Sequence, residues 1–532
     1  MVTAMLIKHP GAIKKIENKY SSSVVLYRTT GNRGGEIEVF LGQRRPDLKN
    51  FPDMLAGIGG KVESSDYQAA NDFRALSKYE TVAELVFKTC AWRELIEEVE
   101  IVCYDDSSGE IVKKVRAYAQ GKPILDMGRL IDDCALDPTG LLLGHLLKAG
   151  LRTTPEFSQN IFSTQFFLLS LPRGQQPSIS PGHSEFSQGI WGTPEYFIKE
   201  FRNLRLRIPP PVLGLLKALR EQAKISLGPD GISAPFQALE RLCSDDTLPL
   251  GLQIPIEVSP GIQAIPFRSR TLAPATTTNL VVIGDQHELL IDPGANTSNE
   301  VDRLIQIVGH WVEKKKPQTI LVTHEHQDHW EAALILRERF DIPITLAQET
   351  QMALVDRIQA DIVLPSNHVF DLGVDSVSGK RWTVRLMHMP GHSPGHVVLY
   401  DERFGVLICG DVITGIGTVV INDYREYMRT LQHFQTMEVS TILPGHGPVL
   451  YEGKETIIRY IDHRKTRERQ ILDSMSTSEV STAQEIVKKV YNDVPDAYHK
   501  VALEQVKVYL NYFEEENLAR QTSDKGKYVR NG

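Results

Sequence analysis

The feature that most restricts this chain is the run His324-Glu-His-Gln-Asp-His329, delivered at the end of the apolar, β-branched stretch Thr319-Ile-Leu-Val-Thr323. Such a stretch reads as a buried strand. Residues two apart in extended chain face the same side, so His324 and His326 can converge on one metal ion. Asp328 and His329 then fall in the following turn and can serve a second ion. Three more polar residues stand at comparable places: His392 in Met389-Pro-Gly-His-Ser-Pro-Gly-His396, Asp411 at the end of Gly405-Val-Leu-Ile-Cys-Gly-Asp411, and His446 in Thr441-Ile-Leu-Pro-Gly-His-Gly447. Each follows a glycine, which lets backbone come close to a site. A lone histidine or aspartate at a strand end is usually a satisfied turn or core residue, but seven placed after strands are not explained in that way. Imidazole and carboxylate without thiolate suit zinc, iron or manganese. Asp411 is the natural bridge between two such ions. Asp292, in Leu290-Ile-Asp-Pro-Gly294, reads either as a carboxylate orienting a ligand histidine or as a turn former, and His396 reads as a neighbour of a ligand.

At 532 residues the chain is too long for one hydrophobic core. Domains of roughly 100 to 200 residues imply three or four units. An apolar content of 41% with 24% charged residues fits soluble globular units and excludes wholesale disorder. The net charge of −8 excludes an overall basic field for non-specific nucleic-acid binding, though a local patch remains open. Five scattered cysteines, Cys90, Cys103, Cys134, Cys243 and Cys409, include no C-x-x-C pair, which points to a reducing compartment and no thiolate metal site. Near the N-terminus, Lys8, Lys14 and Lys15 lack the apolar core of a signal peptide, and no stretch approaches the ~20 apolar residues of a membrane span. A cytoplasmic protein without membrane contact is expected; the first acidic residue, Glu17, leaves an organellar presequence open.

The pattern divides the chain into an α+β domain over 20–225, a connector over 226–251, a second αβ domain over 252–454 and a helical appendage over 455–532. The first has strands at Ser23 to Tyr27 and Ile37 to Gly42, turns at Gly31, Gly34 and Gly35 and at Gly57, Gly59 and Gly60, and a helix carrying Leu95, Ile96 and Val99. The connector is rich in Gly, Pro and Ser, with one helical turn at Phe236 to Leu242. Beyond it, strands Asn279 to Ile283 and His287 to Ile291 suit a hairpin, and helix and strand then alternate to Leu450. Helices over Glu455 to Ser474, from Thr482 and from Lys500, with a Lys-rich tail, suggest a small winged-helix-like appendage.

The order Asp, H-x-H-x-D-H, His, Asp, His resembles that of the metallo-β-lactamase superfamily over about Ile254 to Gly453, with no ligand missing. Gly410-Asp-Val-Ile-Thr-Gly-Ile-Gly-Thr418, Asp423-Tyr-Arg-Glu-Tyr-Met428, Pro444-Gly-His-Gly-Pro448 and Tyr460-Ile-Asp-His-Arg464 resemble more narrowly the β-lactamase-like protein 2 group. The resemblance implies an αβ/βα sandwich with a C-terminal winged helix. It also implies two zinc ions held by His324, His326, Asp328, His329, His392, Asp411 and His446. Two such ions acidify a shared water and polarise the scissile bond, with Asp328 orienting the nucleophile. Characterised members of the group are single-strand endoribonucleases, and close relatives are acyl-carrier-protein thioesterases.

Gly59-Gly60-Lys-Val-Glu63-Ser-Ser-Asp66 and Arg93-Glu94-Leu-Ile-Glu97-Glu98-Val-Glu-Ile101 resemble the Nudix box, G-x5-E-x7-R-E-U-x-E-E-x-G-U with U apolar. An α/β/α sandwich is implied, supported at Gly60 and Arg93. Glu94, Glu97 and Glu98 lie three or four apart on one helix face and could hold Mg²⁺ against a diphosphate; the alternative is an amphipathic helix with a solvated acidic face. Gly60 and Arg93 stand 33 positions apart where the box needs 14, an insertion of 19; Asp66 replaces the first Glu, and Glu100 the final Gly. An insertion of this kind, with Trp191-Gly-Thr-Pro-Glu195 and Ile208-Pro-Pro-Pro211, resembles the branch containing coenzyme A diphosphatases. The departures leave the activity of this domain open.

The expected reaction is hydrolysis of a thioester or related acyl substrate. The alternatives are single-strand RNA cleavage, or a hydrolase regulated by a nucleotide bound to the Nudix-like domain. Residues 451–532 hold 14 Lys/Arg against 14 Asp/Glu, so the appendage is no basic RNA platform by charge. Sequence leaves the oligomeric state unknown.

Overall fold

The computed structural model describes residues 19–226 and 256–531, except for 30–35, 49–50, 74–80, 106–107, 121–123, 125, 138–140, 154–161, 173, 181–182, 204, 286–288, 315–316, 376–378, 493–497 and 525. The turn at Gly31, Gly34 and Gly35, the connector beyond Ser226 with its turn at Phe236 to Leu242, and Cys243 lie outside the described residues. Contacts group the described residues into two compact units, one within 16–254 and one within 255–532. Among them no helix is long and apolar enough to cross a membrane.

In the first unit, Lys19–Thr29 is the centre of a seven-stranded sheet, parallel to Phe162–Ser170 and antiparallel to Ile37–Arg44. Its side chains alternate between two cores, as the two-residue period of a strand requires. Val24 and Leu26 meet Trp92, Leu95 and Ile96 of the helix Val82–Val99, whereas Val25 and Tyr27 meet Phe197 and Leu216 of the helices Pro194–Arg202 and Pro210–Ser226. Helices therefore cover both faces. Thr81 starts Val82–Val99 with a capping box to Glu84. Gly59 and Gly60, expected in a turn, instead lie in the strand Ile58–Lys61, paired with Ser23 and Ser22. The reason is close approach: a Cβ on Gly59 would lie 1.9 Å from the Ser22 carbonyl, and one on Gly60 2.2 Å from the Glu94 carboxylate.

The second unit stacks two sheets. One runs in the order Ile362–Leu364, Ile344–Ala347, Thr319–Leu321, Leu289–Ile291, Thr277–Ile283, Ile262–Arg268, Ile256–Ser259. The other runs Val369–Val374, Arg381–His388, Val397–Asp401, Val406–Gly410, Thr441–Pro444. Val281, Ile291 and Leu321 of the first pack on Trp382, Leu399 and Ile408 of the second. Helices Ser298–Lys314 and Ala333–Phe340 cover one outer face, and Tyr424–Gln435 the other, giving an αβ/βα sandwich. The expected hairpin of Thr277–Ile283 and Leu289–Ile291 is present. Strict helix–strand alternation is not: among the described residues, five strands from Ile362 to Gly410 follow one another without a helix. The alternating burial of Arg381–His388 is the signature of strand, not helix, in this stretch.

The C-terminal segment holds the helices Gly453–Asp473, Ala483–Val490 and His499–Glu515. The first is 21 residues long and so is not a short helix. Ala519–Gln521 and Lys527–Arg530 form a hairpin that joins Ser481–Thr482 in a three-stranded sheet, the wing. Its core is continuous with that of the sandwich, since Ile457, Ile461, Val506, Tyr509 and Phe513 belong to the same cluster as Tyr424, Tyr427, Leu407 and Ile442.

Candidate metal centre

The strand Thr319–Leu321 ends three residues before His324, and His392, Asp411 and His446 follow the strands Arg381–His388, Val406–Gly410 and Thr441–Pro444 of the other sheet. Two groups of donor atoms result, within each of which all atoms lie within 4.8 Å of one another: His324, His326, His392 and Asp411, and Asp328, His329 and His446. Asp411 reaches both, with Oδ2 3.2 Å from His446 Nε2 and 3.9 Å from His392 Nε2, and Oδ1 3.5 Å from His329 Nε2. Gly445 makes this possible, because a Cβ there would lie 2.5 Å from Asp411 Oδ1.

The rings of His324, His329, His392 and His446 are each aimed by the other nitrogen. Val420 and Thr277 carbonyls accept from Nδ1 of His392 and His446, at 2.6 and 2.9 Å, and Nδ1 of His324 lies 3.0 Å from Thr323 Oγ1. Asp292 adopts the left-handed φ of +55°, accepts from Thr323 N and Oγ1, and sits 2.9 Å from His329 Nδ1. It belongs to neither donor group, and its carboxylate lies against the ring of His329, which does. His396 is fully buried beside His324, and its Nε2 accepts from the Asp411 backbone N–H, so it holds the bridge position from behind. Two residues not anticipated from sequence also serve the site. Buried Asn279 donates to the Pro444 and Gly447 carbonyls and so fixes the loop of His446, while Thr271 Oγ1 lies 3.1 Å from His446 Nε2. A polar side chain within the otherwise apolar run Leu280 to Ile283 and its start was the signal for Asn279.

The donor set fits divalent metal. His326 Nδ1 lies 3.0 Å from His324 Nε2 and 3.1 Å from His392 Nε2, and His329 Nε2 lies 3.3 Å from His446 Nε2. Tetrahedral zinc with Zn–N bonds of about 2.0–2.1 Å sets its nitrogens roughly 3.3–3.4 Å apart. Burial raises the Asp411 carboxyl, but His446 and His329 outweigh it and hold the group well below the usual range. Asp328 is drawn down to about 2 against burial by His446 and His329. Burial lowers His392 to about 4 and His324 well below its ordinary value. Against burial, Asp411 and Asp292 hold His329 well above the ordinary imidazole value, and Asp411 and Asp328 raise His446 to about 9, so protons on these two rings balance the ionised carboxylates where a metal ion would, while His392 and His324 stay neutral. Asp411 Oδ1 is also buried without a hydrogen-bond partner, as a bridging oxygen would be. Cys409, two residues away, donates to the Ile413 carbonyl, and burial pushes its thiol up, so it is no ligand.

The first unit treats its acidic residues differently. Arg93 binds Asp66 through Nε and Nη2 at 3.0 and 3.1 Å, Glu94 at 2.8 Å, Glu97 at 2.9 Å and the Lys61 carbonyl at 2.7 Å. Glu97 also accepts from the Ile124 N–H, and Glu98 from Ser184 Oγ and the Glu185 N–H. Burial pushes the Glu94 carboxyl up to about 8. Among the described residues, Glu94, Glu97 and Glu98 are not in a donor group whose atoms all lie within 4.8 Å of one another. The solvated acidic face expected as the alternative is not found either, because Glu94 and Glu98 are buried. Glu100 ends the helix at φ +56°, the conformation for which the box uses glycine.

Residues 273–446 match the family profile described as the metallo-beta-lactamase superfamily, and residues 482–527 that of the beta-lactamase associated winged helix domain. The chain is 32% identical over 265 residues to a beta-lactamase-like protein 2 homolog of Drosophila melanogaster, covering 47% of this chain and 88% of that protein. It is 31% identical over 240 residues to the Caenorhabditis elegans homolog, covering 44% and 77%. An atrochrysone carboxyl ACP thioesterase of Aspergillus chevalieri is 29% identical over 235 residues, covering 43% and 72%.

Proposed function

Since the chain belongs to the metallo-β-lactamase superfamily and is homologous to β-lactamase-like protein 2, we propose that it is a dinuclear zinc hydrolase acting on a thioester or related acyl substrate. The observation that carries this reading is the convergence of seven donors into two groups shared by Asp411. His324, His326 and His392 would hold one ion, Asp328, His329 and His446 the other, with Asp411 between. When bound, the ions supply Lewis-acid polarisation of the scissile carbonyl and acidify water. The chain's own part is positional. Asp292 fixes the His329 ring, the Thr277 and Val420 carbonyls fix His446 and His392, and Asn279 keeps the His446 loop against the sheet. The acyl reading is favoured over RNA by the balanced charge of residues 451–532 and by the likeness to an ACP thioesterase.

The expected result is about two zinc ions per chain by elemental analysis, and loss of turnover on chelation that returns with zinc. Purified protein assayed in parallel on acyl-CoA thioesters, single-stranded RNA and CoA-type diphosphates should hydrolyse the thioesters. Folded protein that takes up no transition metal would end the reading; RNA cleavage alone would replace its substrate.

We read the first unit, over 20–225, as a Nudix-like sandwich joined by a 226–251 connector to the 252–454 hydrolase domain and the 455–532 appendage. In it Arg93 and its carboxylates serve structure rather than a diphosphatase. Glu97→Gln should therefore lower thermal stability, by about 1–3 kcal/mol for a charged hydrogen-bond partner lost near the core, and leave the zinc-dependent reaction unchanged. A Mg²⁺-dependent diphosphatase activity that this substitution abolishes would refute the assignment.

A further inference from the structure

His392 depends on a short strap, residues 419–423, more than on its own strand. The strap's Val420 carbonyl accepts from His392 Nδ1, and its Asn422 and Asp423 N–H groups donate to the carbonyl of Gly391, at 2.8 and 3.0 Å. Ring and backbone of this histidine are thus both seated on the same few residues.

The strap is in turn gripped from behind by the C-terminal segment. Buried Arg464, on the helix Gly453–Asp473, donates from Nη2 to the Val419 carbonyl at 2.7 Å. Buried Gln505, on His499–Glu515, accepts from Ile421 N at 3.0 Å and donates to Ile421 O at 3.1 Å. The residues on either side of Val420 are therefore held by the appendage, while Val420 itself faces the metal ligand. Tyr460 does the same at the start of the loop that follows Asp411, pairing with Thr414 N and O at 3.0 and 2.8 Å.

These are costly contacts for mere adhesion. An apolar side chain would pack the two elements together as well, whereas a buried amide or guanidinium needs its partners in place. Arg464 has the ring of Tyr427 5.0 Å from its guanidinium carbon, and Tyr427 hydroxyl donates to the Val412 carbonyl. Directional bonds of this kind fix position, and here the position fixed is that of the Val420 carbonyl.

We propose that the winged-helix segment is a working part of the metal centre, with Gln505 and Arg464 as positioning residues that set the His392 imidazole through the strap Val419 to Ile421. This rests on the reading of His392 as a metal ligand. A partner bonded directly to a ligand typically alters metal affinity 10- to 100-fold, and that range is the upper bound for Gln505 and Arg464, which act one step further out.

The test loads full-length protein with cobalt(II) and follows its visible spectrum and stepwise affinity, with circular dichroism and thermal melting as folding controls. Gln505→Met removes both bonds to Ile421 while keeping the side chain's length. One of the two cobalt sites should weaken, by up to about 10- to 100-fold, and change its spectrum, the other should stay as in wild type, and kcat should fall more than KM changes. Gln505→Glu, which keeps the acceptor for Ile421 N–H, should give a smaller loss at the same site and serves as readout if the first variant does not fold. Folded variants whose two cobalt affinities and spectra match wild type would overturn the proposal. Wild-type protein that binds no cobalt would overturn the metal reading beneath it, and the two failures are told apart by the wild-type titration.

Discussion

Asp411→Ala should lower kcat on the order of 10² to 10³-fold while zinc content falls toward one ion per chain. The carboxylate lies between the two donor groups, 3.2 Å from His446 Nε2 and 3.5 Å from His329 Nε2. Two cations held about 3.5 to 4 Å apart repel strongly unless an anion sits between them. Without Asp411, His324, His326 and His392 retain three nitrogens for one ion. The second group keeps only Asp328 as its negative charge. Folding should suffer less, because the backbone N–H of residue 411 would still donate to His396 and the strand Val406–Gly410 is held by its neighbours on both sides. Metal stoichiometry, turnover and a dichroism spectrum on the same preparation decide the matter. A variant with two ions and near-normal turnover would make Asp411 a turn residue.

Gly445→Ala is expected to do nearly as much harm by a different route. The added Cβ would lie 2.5 Å from Asp411 Oδ1 and 2.7 Å from His329 Cε1, so two proposed ligands or the strand end must move. Overpacking of this kind costs about 1–3 kcal/mol. A displacement of ~1 Å in reacting groups can cost on the order of 10²-fold in rate. Gly214→Ala is the matched control: its Cβ would meet nothing within 4 Å, and it lies in the helix Pro210–Ser226, where alanine is favoured by up to ~1 kcal/mol. Parallel melting curves and steady-state kinetics should show a less stable, slow enzyme for the first and an unchanged or more stable one for the second. Normal turnover in Gly445→Ala would mean that the site tolerates a shift of Asp411 and His329.

How much of this was legible in the sequence follows from the range over which each signal acts. The seven donors could be read because the two-residue strand period that pairs His324 with His326, and the glycine before each of His392, Asp411 and His446, are local properties, and each segment carries its own. The role of Asp292 was not local. Only the tertiary structure brings Thr323 and His329, both beyond the neighbouring strand Thr319–Leu321, against its carboxylate. Glu94, Glu97 and Glu98 show the limit most clearly. Helical spacing does put them on neighbouring turns, yet it cannot say that Arg93, Ile124 and Ser184 will claim their oxygens. The same holds at the other end of the chain, where three helices with a Lys-rich tail suggested a winged-helix-like appendage. That Arg464 and Gln505 would grip a strap more than 40 residues before either of them was not foreseeable. Side-chain type and spacing determine what a segment can offer. Which oxygen or nitrogen accepts the offer is decided by packing between segments distant in sequence, because buried polar groups take the partners that the assembled core brings within reach.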